Sequence, residues 1–303
     1  MDVRRLYDLL QGIPEDDLDI RLYFTRKKQN GTYISYSPSI APDLQHELKE
    51  IVTNALEKEC DTEQREFSPI GSIDGCIETY TTEQVDSFND IIRSMDEEVV
   101  KRDGIEPKEI HRLNFYCVKI HIEDHGDALF FRRVTKFRKL KKGIIGRFVS
   151  NDFQKVESDL LGIDPAIDIV VFENEMLIIQ HVAFERIFRI HDQYYEKAQE
   201  TLNKIEKAGK IRNFEEFKSD CLSDTRITRA LTKLLSEEER IEKFILNFEN
   251  VRDVIDVFEL DIRVEKGVLI YEDKSQLMDI VRLIRDCYYK SLIANRKGID
   301  EGL

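Results

Sequence analysis

The strongest constraint in this sequence is that its strand-like apolar runs come in pairs closed by short turns. Leu18, Ile20, Leu22 and Phe24 alternate with Asp19, Arg21, Tyr23 and Thr25. That two-residue period belongs to a strand with one buried face. Asn30-Gly31 follows; both residue types tolerate positive φ, which predicts a type I′ turn, and residues 32–36 return as the partner strand. The plan recurs three times: 113–122 and 128–137 around His125-Gly126, 167–172 and 176–179 around Glu173-Asn174-Glu175, and 260–264 and 268–271 around Lys266-Gly267. Tight turns of this kind join antiparallel strands, because a parallel pair needs a long crossover. The 167–179 hairpin is apolar on both faces and is expected in the middle of a sheet.

Helical spacing fills the intervals. A short helix is expected over residues 3–10. A second starts at Pro42-Asp43 with Leu44, Leu48, Ile51, Val52 and Leu56 at helical intervals. Thr81 and Gln84 form a capping-box pattern that predicts a helix to about Val100. From Val182, the residues Phe184, Ile187, Phe188, Tyr195, Ala198, Leu202 and Ile205 predict one long helix ending at Gly209. Further helices are expected over about 214–235, from a Ser236/Glu239 capping box, and after Asp273 with Gln276. Hairpins and helices mix without the regular strand–helix–strand alternation of a doubly wound sheet. The expected class is therefore α+β, with mixed sheets built from hairpins and packed helices. A length of 303 residues fits two domains, divided here as 1–110 and 111–303, the second carrying the basic segment described below.

Composition narrows the function classes. Charged residues make up 35% of the chain, with 60 acids against 46 bases and a net charge of -14. Regular apolar periodicity at that charge argues for a folded acidic protein rather than a disordered one. No apolar run approaches the roughly 20 residues of a spanning helix; even 167–172 contains Asp168. The opening Met1-Asp2-Val3-Arg4-Arg5-Leu6 lacks the apolar stretch of a secretory signal, so a cytoplasmic location is expected. Cys60, Cys76, Cys117, Cys221 and Cys287 form no Cys-x-x-Cys pair, which points to free thiols rather than zinc or disulfides.

One segment inverts the charge. From Gly126 to Phe148 the bases Arg132, Arg133, Lys136, Arg138, Lys139, Lys141, Lys142 and Arg147 face a single acid, Asp127. A local cationic field on an anionic body can hold a polyanion, because exposed charges beyond roughly 8 Å are screened at physiological salt. Phe130, Phe131, Phe137 and Phe148 lie among these bases. Exposed rings could stack on nucleobases, although strand alternation favours a role as core anchors. Two plainer readings compete: protection of a sheet edge, and internal salt bridges. Arg226, Arg229 and Lys233 form a second basic line at i, i+3 and i+7 on one helix face, with a solvated face as its plain reading.

Catalytic patterns are weak. His121 and His125 flank Glu123 and Asp124, but the order is not His-Glu-x-x-His, and the segment reads as a strand end and turn where chelation is awkward. A restriction-nuclease-like core would want an Asp at the start of one strand and Glu-x-Lys at the end of the next. Asp168 fits the first place, whereas Gln180-His181-Val182 stands at the second, leaving the metal without a carboxylate and the water without an amine. A divergent metal-dependent nuclease would draw on Asp168, Glu173 and Glu175. No phosphate loop, nucleophile elbow or dinucleotide fingerprint is present. The expectation is no catalytic residues, no metal and no cofactor.

The stretch Phe130-Phe131-Arg132-Arg133-Val134-Thr135-Lys136-Phe137-Arg138-Lys139-Leu140, then 167–179, then Phe184-Glu185-Arg186-Ile187-Phe188, resembles the KwaB family, subunits of the bacterial Kiwa anti-phage defence system. The likeness covers about residues 110–235 and, more loosely, the whole chain. It implies a cytosolic DNA-binding effector that works with a membrane-embedded KwaA partner, which would hold it at the inner face of the membrane, and that blocks phage DNA replication or expression. Homo-oligomerisation is a further expectation. The bases of both lines are the candidate DNA contacts. Acidic stretches such as Pro14-Glu15-Asp16-Asp17 and Ser236-Glu237-Glu238-Glu239 would limit DNA to one orientation, or face a basic loop of the membrane partner. A third reading is an assembly protein whose basic segment meets acidic surface on a second copy.

Overall fold

Alternation decides how the hairpins assemble. In the computed structural model, which describes residues 1–71, 74–102, 105–134, 146–149, 152–155 and 161–300, they join into one eight-stranded sheet. The elements of this first unit are α1 (Val3–Gly12), β1 (Ile20–Lys27), β2 (Tyr33–Tyr36), α2 (Pro42–Glu59), β3 (Glu63–Glu66), β4 (Cys76–Thr81), α3 (Phe88–Met95), α4 (Pro107–Ile110), β5 (Phe115–Ile122), β6 (Gly126–Arg133), β7 (Gly146–Val149), β8 (Asp152–Lys155), β9 (Ile169–Phe172), β10 (Glu175–Ile178) and α5 (His181–Ile187). The strand order is β2-β1-β5-β6-β9-β10-β4-β3, with β7 and β8 a separate hairpin. Every neighbour pair in the large sheet is antiparallel except β3 with β4. The β9–β10 hairpin lies in the sheet interior, as its apolar sequence requires.

Register places one apolar row across five strands: Leu22 opposite Val118, Val118 opposite Phe130, Phe130 opposite Val170, and Val170 opposite Leu177. All five are buried and share one core with Leu6 and Leu10 of α1 and Leu48, Val52 and Leu56 of α2. Burying each such side chain contributes about 1.5–3 kcal/mol relative to exposure. The opposite face carries an aromatic cluster in which Phe131 packs on Phe115 at 5.9 Å and on Phe188 at 5.3 Å.

The second unit starts at Ile190. It comprises α6 (Ile190–Lys207), β11 (Ile211–Arg212), α7 (Phe214–Ser223), α8 (Thr225–Ser236), α9 (Glu238–Leu246), α10 (Phe248–Phe258), β12 (Arg263–Glu265), β13 (Val268–Ile270), α11 (Leu277–Ile284), β14 (Tyr288–Lys290) and β15 (Lys297–Ile299). Its core gathers Leu202 and Ile205 of α6, Phe217 and Cys221 of α7, Leu231 and Leu234 of α8, and Ile280 and Ile284 of α11. A three-stranded sheet, β11-β13-β12, and the β14–β15 hairpin complete it. Among the described residues, no helix is long and apolar enough to cross a membrane.

The α+β class expected from the sequence holds. The domain boundary does not lie near residue 110, because β1 hydrogen-bonds along its length to β5, and one sheet therefore spans that point. The contacts divide the chain between Arg189 and Ile190, with a short stretch from Ser68 grouped with the second unit. Arg189, at φ 54°, also breaks the long helix expected from Val182 into α5 and α6. Asp224 breaks the next: its carboxylate accepts from the backbone N–H groups of Arg226 (2.8 Å) and Ile227 (3.2 Å), starting α8 afresh. The helix expected from Thr81 to Val100 is only a 3-10 turn followed by α3, because the Thr81 hydroxyl bonds the Gln84 side chain rather than a backbone N–H. The Asn30-Gly31 turn differs too. Only Gly31 takes positive φ, 88°, the Gly31 N–H donates to the Lys28 carbonyl, and the Lys28 N–H donates to that of Thr32. This is a three-residue turn with a glycine bulge rather than type I′.

Candidate nucleic-acid interface

The basic segment leaves the large sheet at the end of β6. Alternation sends Phe130 to one face and Phe131 to the other, and both are fully buried, so neither ring is free to stack on a base. Arg132 and Arg133 then point to opposite faces, and their fates differ.

Arg132 is drawn inward. Its Nε and Nη2 donate to the Asp164 carboxylate at 2.9 Å each, and its Nη1 donates to Asp168. Asp168 is buried, and its second oxygen accepts the backbone N–H of Arg133 at 2.8 Å. Burial opposes the Arg132 charge, yet the two carboxylates hold its pKa above the ordinary arginine value. Asp164 also braces the strand beside it, its carbonyl accepting from the Tyr116 hydroxyl at 3.5 Å. The sequence expectation that Arg132 offers its charge to a polyanion therefore meets a guanidinium already engaged by carboxylates on three nitrogens. It closes a latch between the point where the chain leaves β6 and the point where it re-enters as β9.

Arg133 is half-buried on the other face and, among the described residues, has no carboxylate within ion-pair distance of its side chain. Burial and the neighbouring Arg186 guanidinium of α5 lower its pKa from the ordinary value. Arg186 is exposed. The Arg186 charge thus acts against that of Arg133 at the root of the basic segment, only partly offset by Asp168, and an anion bound there would relieve it. Lys136, Arg138, Lys139, Lys141 and Lys142 lie outside the described residues. Arg147 falls on β7, whose backbone alone is described.

The second basic line, on α8, is partly engaged. Arg226 is exposed, whereas Arg229 is half-buried with its guanidinium 5.8 Å from the centre of the Tyr194 ring. Lys233 is half-buried. The two lines belong to different units.

The same end of the large sheet holds a buried cluster that the sequence reading passed over. His181 opens α5; its Nδ1 lies 2.7 Å from Glu78 and its Nε2 3.3 Å from Glu185, with Phe67 stacked on the ring at 5.2 Å. Burial opposes protonation, but Glu185 and Glu78 push the imidazole pKa up to about 9. The i, i+4 spacing of His181 and Glu185 was readable; Glu78 arrives from β4 through register with Ile178, which no local pattern announces. Arg186 is the other residue missed, visible only once α5 lies beside β6.

The nuclease alternative meets a separation. Asp168 precedes β9, while Glu173 and Glu175 lie at the far end of the β9–β10 hairpin, four strand residues or roughly 13 Å away. Glu173 is held by Arg5 through two 2.7 Å hydrogen bonds, and Glu175 pairs with the amino group of Met1. His121 bonds Asp127 at 2.9 Å rather than sharing a ligand with His125. Among the described residues, no group of three or more His, Cys, Asp or Glu side chains is placed to hold a metal ion.

A family model described as "Kiwa protein KwaB-like" matches residues 112–294, more than half of the chain. No curated protein and no solved structure matches it.

Proposed function

The chain belongs to the KwaB-like family of Kiwa proteins, a component of Kiwa anti-phage defence, and from that premise we propose that it is a DNA-binding effector acting without base specificity. Arg133, Lys136, Arg138, Lys139, Lys141, Lys142 and Arg147, extended by Arg186, neutralise phosphates of the sugar-phosphate chain, while Arg132 fixes the root of the segment. Arg226, Arg229 and Lys233 supply a secondary contact. The protein acts in the cytoplasm as a homo-oligomer, held near the inner face of the membrane by a membrane-embedded KwaA partner, and blocks phage DNA replication or expression.

The observation that supports this reading is the Arg133 side chain at the root of the segment: half-buried, with no carboxylate within ion-pair distance among the described residues and with the Arg186 charge acting against its own, where the sequence gathers eight bases in a protein of net charge -14. Backbone recognition has a thermodynamic signature. Binding to duplex DNA weakens with salt at a logarithmic slope of about 0.9 per phosphate neutralised, so a salt titration of the whole protein on several unrelated duplexes tests it. The expected result is a steep slope common to all sequences, with Arg138→Glu/Lys139→Glu weakening every duplex alike. A flat slope, or unchanged affinity in that variant, rejects the segment as the DNA contact.

A further inference from the structure

The hairpin of β14 and β15 presents what a folded protein ordinarily hides. Leu292 and Ile293 at its tip are 103% and 102% exposed, which among the described residues makes them the most exposed large apolar side chains. Disorder does not account for them. The tip is closed by three hydrogen bonds: the Ser291 N–H to the Arg296 carbonyl (2.9 Å), the Asn295 N–H to the Ser291 carbonyl (2.9 Å) and the Arg296 N–H to the Ser291 hydroxyl (3.1 Å). Its base is anchored as well. The Tyr288 ring packs on Phe258 at 4.8 Å, and the Tyr288 hydroxyl donates to Asp279 at 2.8 Å.

Below the apolar tip stand Lys290, Arg296 and Lys297, all exposed, with no acid between residues 290 and 297. Among the described residues, Lys290 and Arg296 have no carboxylate partner, and Lys297 has only Glu259 at 3.9 Å. Tyr289 lies beside them, 53% exposed. Its ring lies over Gly298, where a Cβ would come within 2.5 Å of it. From tip to base the order is therefore aliphatic, then aromatic and cationic. A bilayer surface shows the matching order: acyl chains, then an interface that favours tyrosine, then anionic headgroups that attract lysine and arginine.

We propose that this hairpin is a lipid-inserting finger that docks the second unit on an anionic bilayer, with Leu292 and Ile293 among the acyl chains and Lys290, Arg296 and Lys297 at the headgroups. Charge complementarity selects the occupant. The chain as a whole is anionic, so attraction to an anionic surface must be local, and screening at roughly 8 Å permits that. Shape selects it too: a convex six-residue turn lacks the area of a stable protein interface, about 1,000 Å² or more, whereas a bilayer conforms around a small wedge. The inference is independent of DNA binding and of any membrane-embedded partner.

Co-flotation of the full-length protein with vesicles tests it in the absence of nucleic acid and partners. Vesicles of phosphatidylglycerol in phosphatidylcholine should recruit the protein, and phosphatidylcholine alone far less. Lys290→Gln/Arg296→Gln should weaken the anionic partition about twenty-five-fold, at roughly fivefold per base. Since the segment around Lys139 could also attract anionic lipid, the deciding arm is Leu292→Asp/Ile293→Asp, which leaves every base in place. It should lose about a hundredfold in partition while keeping the wild-type circular dichroism and melting temperature. Equal binding of that variant, or no recruitment of the wild type, overturns the proposal. So does a wild-type dimer that the same variant dissolves, which would give the tip to a second copy of the chain.

Discussion

The latch at the end of β6 and the tip of the β14–β15 hairpin are inversions of each other. At the latch, Asp168 is 2% exposed and its charge is buried beside a sheet of apolar side chains; at the tip, leucine and isoleucine are bare among lysines and arginine. Each arrangement breaks the rule that apolar groups go inside and charges outside. They are tolerated on different terms. A buried carboxylate persists only if its oxygens find donors, and each Asp168 oxygen has one, the Arg132 guanidinium and the Arg133 backbone N–H. An exposed leucine carries almost no folding penalty, because it leaves nothing unsatisfied. The contrast separates a feature required by the fold from one that folding ignores, and the second kind is where a surface function is to be sought.

The largest test of the contrast is Asp168→Ala. Removing one partner leaves Arg132 half-satisfied and a backbone N–H orphaned, which should cost about 3–5 kcal/mol in urea unfolding. A loss under 1 kcal/mol would show that the latch is solvated rather than structural. His181 gives the next largest effect. Its folded-state pKa is raised above the unfolded value, so its contribution is full below about pH 6.5 and disappears as pH rises through about 9. The expected contribution is about 2–3 kcal/mol. It is read as the difference between wild type and His181→Gln, which should narrow from pH 6.5 to pH 9.5. A constant gap across that range would mean the imidazole is not protonated between its two glutamates.

Both clusters show what could be read from the chain alone. Period two in 18–25 and 260–264 and the continuous apolar run of 167–179 announced strands, and the turns announced antiparallel pairing, because these are local signals. Sheet order was not local. That β5 lies between β1 and β6 depends on partners 90 to 100 residues apart, which is why the division near residue 110 was misplaced. Helix breaks at Arg189 and Asp224 were hidden under continuous apolar spacing; a cap such as Asp224 competes with helix continuation, and periodicity records only the stripe. The basic segment was plain in composition, yet composition could not separate Arg132 from Arg133. Only the pleat does, sending one toward Asp164 and Asp168 and the other toward Arg186.

That neighbouring pair sharpens the comparison at smaller magnitude. Arg133→Ala should reduce the salt slope of DNA binding by about 1 and weaken all duplexes alike, with little effect on stability. Arg132→Ala should do the reverse, lowering stability through the stranded Asp168 while leaving the slope of the folded protein unchanged. Salt titration and urea unfolding of both variants check this together. If Arg132→Ala lowered the slope and Arg133→Ala did not, the two arginines would have to exchange roles.

The smallest expected effect is at the tip. Leu292→Asp alters a side chain that touches nothing in the fold, so its unfolding free energy should stay within about 0.5 kcal/mol of wild type. The measurement is the same urea titration used for Asp168→Ala, and the two variants bracket the comparison. A null result here is informative because the substitution replaces a large aliphatic group by a charge, a change that costs several kcal/mol wherever the site is buried. A loss beyond 1 kcal/mol would place Leu292 in a packed environment within the folded chain. The hairpin would then belong with the latch, as structure, rather than with the surfaces left open for a partner.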